Sequence, residues 1–427
     1  MYPNPQDALP LPPRLDLDQY RTRAKELVAA CRQGDPAMQR WVTRWIGDLA
    51  RLQPDGSRLS PADVERRAQQ LMHFVRERLR PNDTTIAQAQ FVIARAHGFD
   101  SWPKLVQYVE ASAQQDSAVA TFERAADAIV AGDLARLDQL LRAEPSLVVA
   151  RSSREHRSTL LHYASANGVE SYRQRTPANI VAITTRLLDA GAAIDAEADV
   201  YGGGATTLAL VVTSAHPRAA GVQNALADLL LSRGARLDAG IVRYCLINGC
   251  PEAATHLAER GARVTATDAA GIGRLDLLRQ AFEPPKTVSA ADRGEMMAMA
   301  AWYGQRDTIR LLLELGVDPA VRRPEGGQTA LHVAAYQGDA ELVELLIEHG
   351  APLDVLDAHF GTPPVVWALH AWLKESRPDG APYRRIVEAL VTAGAGVKPE
   401  WIDDDRLRAD GELHRLLAKA ATRTVAP

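Results

Sequence analysis

The glycine that closes "LLIEHG" at Gly350 has a counterpart 34 residues earlier, Gly316, which closes "LLLELG". Similar apolar runs end at Gly191 ("IVAITTRLLDAG"), Gly234 ("ALADLLLSRG"), Gly261 ("AATHLAERG") and Gly394 ("IVEALVTAG"). An earlier, weaker copy reads "FERAADAIVAGDLARLDQLL", and "ATDAAGIGRLDLLRQAF" is a shortened one. A period of this length constrains a fold more than composition does, because one unit cannot bury its own apolar face and must lean on the next.

The clearest unit runs from Gly326 to Asp354, "GGQTALHVAAYQGDAELVELLIEHGAPLD". Gly326 and Gly327 permit positive φ in a tight turn. Thr329 stands where a hydroxyl satisfies an unpaired backbone N–H at a helix start. Leu331, Ala334 and Ala335 form a stripe at helical spacing, small enough for close helix packing. Gly338 breaks the first helix. Leu342, Val343, Leu346 and Ile347 repeat the stripe on a second, which Gly350 stops in the left-handed region.

"TALHVAA" (Thr329–Ala335), "TLLHYAS" (Thr159–Ser165) and the recurring "LL-x-x-GA" helix ends resemble the ankyrin repeat family, over roughly residues 118–400. One copy matches the family pattern closely, one well and the others in part. The resemblance implies an all-α, elongated and curved ankyrin-repeat α-solenoid of about seven or eight helix-turn-helix units with short hairpin-like turns. It also implies a structural role for His332 and for His162 in the equivalent place: each ring bonds backbone around the turn. The expected role is non-catalytic, with a concave inner surface and turn tips that hold another protein.

Other copies carry inserts. From Gly338 to Gly350 is 12 steps, but from Gly168 to Gly191 is 23, from Ala215 to Gly234 is 19, and from Ala371 to Gly394 is 23. The extra residues fall in "VESYRQRTPAN", around "HPRAAGVQ" and in "LKESRPDGAPY", between the two helices of repeats two, three and eight. Their Arg, Pro, Gly and Tyr content predicts exposed, partly ordered loops or extended helix ends.

The ends differ from the array. Residues 1–13 are a Pro-rich, flexible lead-in. Residues 14–112 form an N-terminal helical domain, with apolar Leu27, Val28, Cys31, Met38, Trp41, Val42 and Trp45 at helical spacing and a Ser60–Pro61 helix entry. Its last stretch, "TTIAQAQFVIARAHGFDSWPKLVQYVEA", resembles a helical module found ahead of ankyrin arrays in bacterial proteins. "SAQQDSAV" is the junction, residues 118–400 the array, and residues 401–427 a charged capping helix and tail striped with Leu407, Leu413, Leu416 and Leu417.

Chemistry-bearing patterns are sparse. Cys245, Cys250 and His256 invite a zinc reading, but the repeat alignment places two of them on packing positions and one on a turn. "YGGGATT" lacks the Gly-Lys-Ser/Thr ending of a phosphate loop. "DDD" at Asp403–Asp405 reads as a solvated turn or a helix-start cluster. No catalytic residue, metal ligand or cofactor is expected. A net charge of −4 gives no electrostatic reason for nucleic acid or an anionic membrane as partner. With three cysteines, no signal-peptide pattern and no long apolar span, the expected compartment is the cytoplasm.

The candidate recognition stripe is aromatic. In repeat six, Met297, Ala300 and Ala301 match Leu331, Ala334 and Ala335, and Trp302 matches Tyr336, so the two rings are placed to stack. Tyr303, Trp367, Trp372 and Tyr383 join them, since aromatics are favoured interface anchors. Tyr172, Arg173 and Arg175 of the second repeat's insert are further candidates. Two other functions stay open. One is an enzyme or small-molecule binder whose cavity is lined by the inserts, where His162, Tyr163, Tyr172 and Arg175 would converge. The other is a DNA-associated regulator acting through residues 80–112. In the latter, residues 1–112 hold 16 Lys and Arg against 13 Asp and Glu, a net of only +3, and Lys104 is the sole base between Ser101 and Ala113.

Overall fold

The computed structural model describes residues 7–12, 15–52, 60–80, 83–114, 116–284, 287–375 and 381–424. Most of the expected lead-in (1–6 and 13), part of the third insert (376–380) and the last three residues lie outside that set. The chain divides into two compact units, Met1–Asp238 and Ala239–Pro427. Among the described residues it is all-α apart from one two-residue ladder and one isolated bridge.

The first unit opens with helices Leu17–Arg32, Asp35–Leu52, Pro61–Arg78, Ile86–Ala96 and Trp102–Ala113. Their apolar faces meet in one core that includes Leu27, Trp45, Leu71, Ile93 and Phe99. Helix pairs follow. Ala118–Ala131 is capped by Ser117 and ended by Gly132 at φ 77°, and Leu134–Ala143 is capped by Asp133. "TLLHYAS" forms a 3₁₀ helix, Leu160–Ser165, rather than a full α-helix. The Ser165 hydroxyl donates to the His162 and Asn167 carbonyls, and Ala166 turns left-handed at φ 48°, which ends the helix early. The helix Ile180–Asp189 comes after the insert. The triple glycine before Thr206 makes a hairpin turn, with Glu197 paired to Thr206 and Ala198 to Ala205.

In the second unit, first helices stack on first helices: Ala266–Ile272 on Ala290–Trp302, that on Ala330–Gln337, and that on Pro364–Leu373. Second helices do likewise, Ala340–Glu348 against Ala381–Ala393. One buried core runs without a break from Ala269 to Ala421 and contains Leu331, Ala334, Ala335, Leu342, Val343 and Leu346. Alanines at the first-helix contacts let the backbones approach, and the leucines and valines fill between layers. The terminal helix Gly411–Thr424 seats Leu413 and Leu417 in this core.

Candidate functional site

The stacking of first helices has a lateral consequence. Side chains one helical turn apart on each of them face the same side. Met299, Val333 and Trp367 occupy one such position at 34-residue steps, and Trp302, Tyr336 and His370 the next. Together with Leu246, Ile247, Tyr303, Gln328, Phe360 and Glu375 they line a groove of about 800 Å³ within the second unit.

Four rings form its spine. Trp302 stacks on Tyr336 with centres 6.0 Å apart and planes 20° apart. Tyr336 meets Trp367 edge-on at 5.8 Å, and Trp367 meets Phe360 edge-on at 6.4 Å. These edge-to-face geometries suit the aromatic quadrupole. Trp302 stays 43% exposed and Phe360 75%. The Tyr336 hydroxyl donates to Glu375 at 2.7 Å, and the Trp367 indole N–H donates to Asp357 at 3.2 Å.

The turn tips that frame the groove are stiff. Burial opposes the Asp357 charge, but the Phe360 and Thr362 backbone N–H groups and the Thr362 hydroxyl outweigh it and hold the carboxyl below its usual range. His332 fixes the same turn. Its Nδ1 accepts from the Thr329 N–H at 3.1 Å, which leaves Nε2 to donate to the Thr362 carbonyl at 3.2 Å. Burial brings its pKa down to about 4, so the ring is neutral at pH 7. His162 takes the same Nδ1 bond from Thr159, also at 3.1 Å. At the other tip Arg323 donates to Glu295 at 2.8 Å, and Arg243 binds the same carboxylate. Burial works against the Glu295 charge, yet these two guanidinium groups keep its pKa below the ordinary value. Gly294 makes the contact possible: a Cβ there would sit 2.0 Å from the Arg322 carbonyl oxygen.

The nine candidate residues separate into three groups. Trp302, Tyr303, Tyr336 and Trp367 line the groove. Tyr383 is buried, its hydroxyl donating to the Tyr336 carbonyl at 3.0 Å, and Trp372 packs against the core; neither is among the groove-lining residues. Tyr172, Arg173 and Arg175 belong to the first unit. There the insert of repeat two is not an exposed loop: Glu170 is fully buried and pairs with Arg154 at 2.5 Å, while Arg173 is buried against Glu123 and Asp127. The Arg154 guanidinium lies over Phe99 and Tyr108 and donates to the Tyr172 hydroxyl at 2.8 Å. Buried guanidinium and carboxylate groups of opposite charge held against one another make a structural joint, so Arg173 offers no surface, Tyr172 is tied into the joint, and Arg175 alone of the three is exposed.

Phe360, Ile247, Gln328, His370 and Glu375 are groove residues that the sequence did not single out. The 34-residue step marks His370 as the partner of Tyr336, whereas nothing in a turn such as "DAHFGT" announces where its Phe points. Cys245 and Cys250 are both buried, and burial pushes the Cys245 thiol up to about 12. Among the described residues no cluster of three or more His, Cys, Asp and Glu side chains is arranged to hold a metal ion. No helix among them is long and apolar enough to cross a membrane.

The family model for ankyrin repeats matches residues 277–398, in three copies. Over 104 residues the chain is 38% identical to the E3 ubiquitin-protein ligase KEG of Arabidopsis thaliana, covering 24% of this chain and 5% of that protein. Over 80 residues it is 36% identical to Protein PhlB of Serratia liquefaciens, covering 19% and 35% respectively. A third match, 50% identical over 52 residues, is to an ankyrin repeat-containing protein of Treponema pallidum (strain Nichols), with 12% of this chain and 17% of that one covered. The chain thus spans 35% or less of each of these relatives.

Proposed function

Residues 277–398 are ankyrin repeats, and on that premise we propose that the chain is a non-catalytic scaffold that holds another protein in the aromatic groove and at the adjoining turn tips. Ankyrin repeats serve protein interaction in general. The observation that carries the finer reading is the run of four linked rings, two of them among the exposed large apolar side chains. Aromatic side chains anchor interfaces because they bury much area for little lost rotamer freedom. A frame that is already stiff loses little entropy on binding. Such a scaffold requires no cofactor, and we place it in the cytoplasm, where its three thiols would remain reduced.

The test is quantitative affinity capture from native lysate with the full chain and with a Trp302→Ala/Phe360→Ala form. Both side chains are exposed, so thermal unfolding should be unchanged. The expected result is one or more proteins depleted about tenfold or more from the substituted form, as loss of a hot-spot aromatic implies. Identical captured sets would overturn the reading.

A further inference from the structure

We propose that the groove receives an extended peptide segment of its partner: a short apolar stretch with an acidic residue directed at Arg323 and a basic residue directed at Glu375. This rests on the interaction reading above and specifies the occupant.

Three observations carry it. Gln328 lines the groove, is only 8% exposed, and among the described residues no donor reaches its Oε1. A buried amide oxygen left without a donor is destabilising, so the site is complete when an N–H arrives. An extended chain offers backbone N–H groups, whereas a helix has already spent them internally. The two charged ends differ in sign. Arg323 shares the single carboxylate of Glu295 with Arg243, two guanidinium groups to one anion. Among the described groove-lining residues Glu375 supplies the carboxylate; it accepts from the Tyr336 hydroxyl and lies 3.8 Å from His370 Nε2, and the two oxygens of a carboxylate take several donors at once.

Placement sets the length. Arg323 sits in the turn before the first helix Ala330–Gln337, and Glu375 lies just past the first helix Pro364–Leu373, so the two charges flank opposite ends of neighbouring first helices. The helix Ala330–Gln337 has 8 residues, and at 1.5 Å per residue it spans about 12 Å. An extended chain at about 3.3 Å per residue covers that length with roughly four residues. That length is a lower bound, because Arg323 and Glu375 lie beyond the ends of two adjacent helices, so the acidic and basic positions are at least about four residues apart, with the apolar side chains between them facing the Tyr336, Trp367 and Phe360 rings.

A random peptide library displayed on phage, selected against the full chain, reads this directly. The expected consensus is an apolar core flanked by an acidic and a basic residue at least about four apart, tolerant of proline within the core. Selection on Glu375→Lys should exchange the preferred basic residue for an acidic one, and Gln328→Met should weaken a selected synthetic peptide about tenfold. Glu375 is exposed, so its reversal leaves the fold intact. An unchanged consensus on Glu375→Lys, or a proline-intolerant helical consensus, overturns the proposal while leaving the groove as the binding site. Peptides that bind Trp302→Ala/Phe360→Ala as well as the parent overturn the interaction reading itself.

Discussion

His332 and His162 couple the fold to pH. Each is buried, neutral, and brought by desolvation to a pKa of about 4. In the unfolded chain a histidine titrates near 6.5, so below that pH the unfolded state takes up a proton that the folded state refuses. Stability is then lost as pH falls from about 6.5 to about 4, at about 1.4 kcal/mol per pH unit for each ring while both conditions hold. Urea unfolding at pH 7, 6 and 5 should show the fall, and His332→Gln should reduce its slope by about one ring's share. An equal slope in that variant would mean the His332 ring does not titrate differently on unfolding. This wiring was legible beforehand only through the resemblance of "TLLH" and "TALH" to the ankyrin pattern, which implies that the ring bonds backbone around the turn.

At the scale of elements, the insert Val169–Asn179 decides how the first unit holds together. Burial opposes the Glu170 charge, but Arg154 and Arg173 outweigh it and hold the carboxyl well below the usual range. Its contribution is present above the ordinary carboxyl pKa and disappears as pH drops through the folded value. Removing one partner strands the other, so Glu170→Ala should cost about 3–5 kcal/mol. Replacing both members, Arg154→Met with Glu170→Leu, should recover a measurable part of that loss in urea titrations. A double variant no more stable than the single one would show that Arg154 is held by its aromatic neighbours instead. Sequence could not reveal this joint. Arg, Glu and Tyr between two helices look like any solvated loop until folding brings Glu123, Asp127, Phe99 and Tyr108 against them.

At the scale of the molecule, the second unit carries a continuous core, its own terminal helix and the entire groove. Residues 239–427 alone should therefore fold cooperatively, giving a helical circular dichroism spectrum and a single thermal transition; a gradual, featureless melt would refute this. The stacked helices of that unit were readable from the 34-residue step, and the Trp302–Tyr336 stack from their shared position in it. What stayed hidden was any feature set by turns rather than by period: Phe360 at one tip, Arg323 at another, and the Gln328 amide between.

The ring at position 302 has one more consequence. The other tryptophans of the chain are shielded from water to a greater degree, so the indole of Trp302 alone is broadly wetted. Anything that covers it should move part of the intrinsic fluorescence to shorter wavelength. The protein thus carries an unlabelled optical reporter at the mouth of the groove, and occupancy can be followed in a cuvette.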